Sequence, residues 1–154
     1  MERYDEAADN FDLSLNHTDK IITESFLEIA IALDSAGSQN SIEKSIQILK
    51  RGRSELADLD IFKNMMVDQY IKLNDIDSAI ELQTEIISSS NRKERHYYKR
   101  AQLYQKENKH ELALADIKLA YDSMSSLPLR YIRSKPMDSL RKDLETLSQI
   151  IKSK

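Results

Sequence analysis

Cysteine does not occur in this chain of 154 residues. Disulfides and thiolate chemistry are therefore excluded, although an oxidising compartment is not. Glycine and proline occur twice each, at Gly37, Gly52, Pro128 and Pro136. All-β folds need more turn residues than that, so an all-helical chain is expected. No run of about 18 apolar residues exists, so no membrane insertion is expected. The opening MERYDEAADN is acidic, lacks an apolar stretch and does not read as a signal peptide. Charged residues make up 32% of the chain, yet the formal net charge is −3. That balance lacks the basic excess of a general nucleic-acid binder, so no nucleic-acid partner is expected. The composition describes a soluble chain, cytoplasmic, or periplasmic or exported had a signal been trimmed, and does not choose between these.

Catalytic parts are equally scarce. The three histidines are His17, His96 and His110. None has a second histidine or paired carboxylates at metal-ligand spacing, and His110-Glu111 lacks the second histidine of a zinc motif. There is no glycine-rich phosphate loop and no nucleophile elbow. No catalytic residue, metal or cofactor is assigned, and the chain is not expected to be an enzyme.

What the sequence does have is a repeat. The stretch YYKRAQLYQKENKHELALADIKLAY, from Tyr97 to Tyr121, reads as two amphipathic helices joined by a polar turn. Ala101 and Tyr104 share one helix face, as do Ala113, Ile117 and Ala120. The same residue classes recur 34 positions earlier, since 104 − 70, 113 − 79, 101 − 67 and 120 − 86 all equal 34. Tyr70 thus matches Tyr104, Ala79 matches Ala113, Val67 matches Ala101 and Ile86 matches Ala120. A helix–turn–helix period of about 34 residues is the signature of the tetratricopeptide repeat, and the chain resembles that family. Tyr97, Ala101, Tyr104, Ala113, Ile117 and Ala120 take the motif positions. Arg100 stands where the family prefers leucine, and Lys63 and Gln83 replace the aromatic and the bulky residue of the middle repeat. The resemblance implies an all-α fold, an α-α superhelix of about three helix pairs plus a capping helix. The segment from Lys44 to Leu147 resembles a group of small bacterial tetratricopeptide proteins. That likeness lies in Arg92-Lys93-Glu94 and in SLPLRYIRSKPMDSL, Ser126 to Leu140; such proteins are often exported.

In chain order, residues 1–17 form an acidic tail expected to be flexible, and residues 18–154 a single repeat domain. Within it the repeats span about 18–57, 59–90 and 92–125, with a capping helix at about 135–152. Thr18 or Asp19 is suited to cap the first helix, whose inward stripe is Ile22, Phe26, Ile29, Ala30 and Leu33. Gly37 ends that helix, and Asn40 with Glu43 reads as a capping box for the next, which runs to about Leu56 and whose inward candidates are Ile42, Ile46, Leu49 and Leu56. In the first repeat Ser45 takes the second-helix alanine position. The turn before it reads as three residues too long, because 45 − 33 is 12 where 113 − 104 is 9. Asn108 with Glu111 reads as another capping box. Ser134 or Lys135 is expected to cap the last helix, with Pro136 in its first turn. There Met137, Leu140, Leu144, Leu147 and Ile151 make an apolar stripe that caps the last repeat. The same 3-4 spacing allows a homodimer through this helix.

The resemblance places a binding groove along the first helix of each pair. Its candidate residues are Leu27 and Ile31; Asn64, Met65 and Asp68; and Arg95, Tyr98, Lys99, Gln102 and Lys106. Acidic and apolar residues collect at one end and basic ones at the other, the latter suited to an acidic peptide. One family subgroup clamps the terminal carboxylate of heat-shock chaperones. Two of its cations fall on Arg95 and Lys99, but its other positions fall on Leu27, Ile31 and Met65, so that specificity is not expected. The expected function is a protein–protein interaction module or scaffold that binds a peptide or protein segment in the groove. The alternatives are a structural or self-associating protein and a chaperone for a secretion substrate.

Overall fold

Apolar stripes at helical spacing become helices almost residue for residue. The computed structural model describes residues 23–56 and 59–153. Among these are the helices α1 (Thr23–Ala36), α2 (Gln39–Glu55), α3 (Asp60–Lys72), α4 (Ile76–Ser89), α5 (Glu94–Lys106), α6 (His110–Ser125), α7 (Leu129–Ile132) and α8 (Lys135–Lys152). No strand occurs among the described residues, and the expected all-α class holds. The acidic tail, Thr18, Asp19 and the side chain expected of Ile22 lie outside the described residues. The helices fall into two compact units, one ending at Asp75 and one beginning at Ile76.

In the first unit, α1 and α2 form an antiparallel pair against which α3 packs. Phe26, Ile29, Ala30, Leu33, Ile42, Ile46 and Leu49 are buried, as their spacing requires. Two contacts fix the direction of α3 relative to α1. The rings of Phe26 and Phe62 meet edge to face with centroids 6.3 Å apart. Ten residues on, Lys72 Nζ reaches Asp34 Oδ1 and Oδ2 at 2.6 and 2.7 Å. The early residues meet and the late residues meet, so α1 and α3 run parallel. Beneath them, Ser45 Oγ donates to the Ala30 carbonyl at 2.8 Å and accepts from Gln69 Nε2 at 2.5 Å. The small residue of the repeat is thus a hydroxyl that ties all three helices together. Seven residues after Ser45, where the third repeat has Ala120, stands Gly52. A Cβ there would lie 3.1 Å from Phe62 Cζ and 3.2 Å from Phe26 Cγ, so the two rings occupy the space that alanine would fill.

Three local expectations are corrected. Gly37 does end α1, with φ +69°, but the next helix starts earlier than Asn40. Ser38, extended at φ −81° and ψ 152°, is its N-cap and accepts from the Ser41 amide at 3.1 Å. Asn40 lies inside the helix. The three surplus residues of the first repeat are accordingly not loop. Ser45 is the seventh residue of α2, whereas Ala113 is the fourth of α6, so they form an extra stretch of helix. Asn108 is not a cap residue of α6 either. It is left-handed, at φ 56°, and closes α5. The amide of Lys109 donates to Tyr104 O at 2.9 Å and that of Asn108 to Gln105 O at 3.1 Å, the paired bonds of a Schellman motif. Asn74, 34 residues earlier, has φ 58°, and Asp75 donates to Tyr70 O and Asn74 to Ile71 O at the same two distances. The repeat therefore extends to backbone hydrogen bonds.

The second unit holds α4 to α8. Ala101, Ala113 and Ala120 are fully buried, and with Ile117 and Met124 they pack against the stripe Met137, Leu140, Leu144, Leu147 and Ile151. The cap expected of α8 is present. Its stripe is consumed inside the unit, so a dimer through that stripe would require α8 to undock. Ser134 precedes α8 in extended conformation, with Pro136 in the first turn, but its hydroxyl bonds Tyr131 O rather than an α8 amide. Gln83 is explained by a partner, since its Nε2 donates to His96 Nδ1 at 3.1 Å. Lys63, of the first unit, is buried too, with Nζ 3.3 Å from Asp60 Oδ1.

Candidate interaction surfaces

Because α1 and α3 are parallel, their outer faces lie side by side. Lys72 faces Asp34, so one to two turns earlier Met65 and Asp68 stand opposite Leu27 and Ile31. Leu27, Asn64 and Met65 are half-buried and Asp68 is exposed. Ile31 is 54% exposed and Ile61 52%, apolar area that this unit leaves uncovered. Exposed Glu24, Glu28 and Asp68 border it.

In the second unit the expected residues divide. Tyr98, Gln102 and Lys106 line a groove of about 300 Å³ together with Gln105 of α5 and Asp143, Thr146, Leu147 and Ile150 of α8. The capping helix therefore walls the face of α5 that the sequence left open. Gln102 Nε2 donates to the Tyr98 hydroxyl at 3.0 Å. Burial raises the Tyr98 pKa above its ordinary value, and the nearby Asp143 carboxylate raises it further. Arg95 is not in this groove; its Nη2 lies 3.4 Å from the Pro136 carbonyl, at the start of α8. Lys99 is half-buried beside Tyr98 in sequence and does not line the groove either.

Two charged clusters were not foreseen. Arg100 Nε and Nη2 donate to the two oxygens of Asp116, both at 2.7 Å, and Nη1 donates to Thr84 Oγ1 at 2.9 Å. The guanidinium lies 5.8 Å from the Tyr97 ring centroid and 5.6 Å from that of Tyr104. The hydrogen bond with Asp116 raises the Arg100 pKa, so it is cationic at any physiological pH. The sequence signal was a single departure, a charge at the leucine position. In the other cluster, Arg92 Nε donates to the buried carboxylate of Glu94 at 2.8 Å and stacks over Tyr131 with 5.1 Å to the centroid. This contact joins the two sequence segments that carried the small bacterial resemblance. Among the described residues no group of histidine, aspartate and glutamate could hold a metal. No described helix is long and apolar enough to cross a membrane.

No protein-family description matches the chain, and no curated protein matches it in sequence. Solved structures do match in fold. A MamA double mutant is similar over 97% of this chain and 86% of its own, with TM-score 0.61 and 13% identity. A crystal structure of MamA is similar over 97% of this chain and 87% of its own, at 0.60 and 16%. The fragment of MamA from residue 41 to the end, from Desulfovibrio magneticus RS-1, gives 0.61 and 13% over 98% and 87%. At such identities the likeness is one of fold, and the fold of this chain is the all-helical repeat of paired helices.

Proposed function

We propose that this chain is a non-catalytic protein-interaction module whose first-helix faces hold segments of a partner protein. The observation that carries the reading is the uncovered apolar area of Ile31 and Ile61 beside half-buried Leu27 and Met65, on two parallel helices. The bordering carboxylates of Glu24, Glu28 and Asp68 favour a partner segment that sets cations beside apolar residues. On α5, Tyr98, Gln102 and Lys106 in the groove, with the cations of Lys99 and Arg95 outside it, favour an acidic segment. The non-catalytic reading draws support from the buried charges. Lys63, Glu94 and Asp116 are each matched by a partner within their own unit, which suits scaffolding rather than an active site. The repeat fold supports the same reading.

The test is capture of partners from native lysate by the tagged chain, read by mass spectrometry and repeated with surface variants. Ile31→Asp with Met65→Asp is expected to remove the partners held by the first face. Lys99→Glu with Lys106→Glu is expected to remove those held by the second. An unchanged set of partners with both pairs of variants would sink the proposal. Light scattering on the same samples distinguishes a partner protein from a second copy of this chain.

A further inference from the structure

Leu129 is the most exposed large apolar side chain among the described residues, at 66%. It opens α7, directly after exposed Pro128, and sits among cations. Arg130 and Arg133 follow it, then Lys135 at the start of α8. Arg92, Lys93 and Arg95 lie in the segment that enters α5. Two contacts hold the two segments together, Arg92 over the Tyr131 ring and Arg95 on the Pro136 carbonyl, and Arg130 lies over the same ring at 4.8 Å within its own segment. The one anion within these segments is Glu94, which is buried and bonded to Arg92. Six cations less one carboxylate give this patch a formal charge of +5; residues 76–153 as a whole carry 14 cations and 11 carboxylates, or +3, so the rest of that stretch carries −2.

We propose that this patch docks the second unit on an anionic lipid surface. Leu129 and Pro128 enter the headgroup layer, and the ring of cations meets the lipid phosphates. Three features favour a lipid layer over an acidic protein segment. The cations are spread along two chain segments around an exposed apolar turn, rather than converging on one carboxylate-sized point. The Tyr131 ring is already occupied by two guanidiniums, so it offers no free platform to a peptide side chain. The +5 gathered on this patch, against −2 over the rest of the described residues of the second unit, turns that unit toward a negative plane without any shape match. A few exposed apolar side chains ringed by lysine and arginine are what reversible binding at such an interface requires.

The test is flotation of the full chain with vesicles of neutral phosphatidylcholine, with and without phosphatidylglycerol. Binding is expected with the anionic vesicles at low salt, and is expected to be lost with the neutral ones and at high salt. Arg130→Glu with Arg133→Glu should weaken it at least about tenfold, since each cation at an anionic surface contributes roughly fivefold. Leu129→Ser should weaken it severalfold, while Lys118→Glu with Lys142→Glu, the same charge change elsewhere on the unit, should leave it intact. Absence of binding to anionic vesicles overturns the proposal, as does an equal loss with the Lys118 and Lys142 pair. If the chain instead binds polyglutamate through Arg130 and Arg133 and ignores vesicles, the patch serves an acidic protein and the lipid assignment falls.

Discussion

Arg100 meets Asp116 through two parallel hydrogen bonds of 2.7 Å across the α5–α6 pair, with the carboxylate side chain 3% exposed and the guanidinium 14%. A buried pair of this kind is costly to break and cheap to replace. Asp116→Ala should lower stability by about 3–5 kcal/mol, because it strands a guanidinium between two tyrosines. The positions 34 residues earlier are Met66 and Leu82, both buried. Arg100→Met with Asp116→Leu should therefore restore stability to within about 1.5 kcal/mol of the parent. Urea unfolding of the three proteins decides it; a double variant as unstable as the single one would refute the equivalence of the two repeats.

Gly52 makes the opposite kind of prediction. Alanine in mid-helix normally gains about 1 kcal/mol over glycine. Here the new methyl would press on both phenylalanine rings at 3.1–3.3 Å, and overpacking costs about 1–3 kcal/mol. Gly52→Ala is expected to lower the melting temperature, and Phe62→Leu, itself destabilising, should remove that sensitivity. Stabilisation by Gly52→Ala in the parent background would show that the rings yield freely.

Two leucines of the second unit should behave in contrast. Leu144 is fully buried under the last repeat, so Leu144→Ala should cost about 2–5 kcal/mol. Leu129→Ala, at an exposed position, should stay within about 0.5 kcal/mol of the parent. Thermal unfolding followed by circular dichroism measures both, and similar losses for the two would contradict the docking of α8.

The tyrosines predict the alkaline limb of stability. Tyr98 is raised by burial and by Asp143, and Tyr121 by burial and by Glu145. A folded-state pKa above the unfolded one means that the folded chain holds the proton longer. Stability is then unaffected below the unfolded value of about 10 and falls as pH rises through the folded one. Tyr98→Phe should make the loss between neutral and strongly alkaline pH shallower, as read by urea midpoints across that range. An unchanged slope would place the phenol in free solvent.

The 34-residue register made the helices of the second and third repeats legible, and with them the buried alanines, while the 3-4 stripe from Met137 to Ile151 made the capping role of α8 legible. The register also marked Arg100, Lys63 and Gln83 as departures. What it could not supply was the resolution of Arg100 and Gln83, because Asp116 and His96 lie on neighbouring helices that folding brings alongside, whereas Asp60 stands one turn before Lys63 on α3. The groove wall formed by Asp143, Thr146 and Ile150 was hidden for a related reason. Its placement depends on the Leu127–Ser134 connection, which contains a short helix with no periodicity to read. The misread cap at Asn108 has a specific cause. Asparagine suits both a helix start and a left-handed helix end, and at Asn108 the Schellman bonds to Tyr104 and Gln105 win.

Those left-handed asparagines bear on how the protein ages. Asparagine in an exposed turn is ordinarily prone to spontaneous deamidation, in which the next backbone nitrogen attacks the side-chain amide carbon to close a succinimide ring. After Asn74 and Asn108 that nitrogen belongs to Asp75 and Lys109, and each is held by a 2.9 Å bond to Tyr70 O or Tyr104 O. The attacking atom faces back into the helix end and is not free to rotate onto the side chain. Both turns are thereby protected for as long as α3 and α5 remain wound to their last residues. Isoaspartate appearing at either site in a stored sample would be a chemical record of fraying at that helix end.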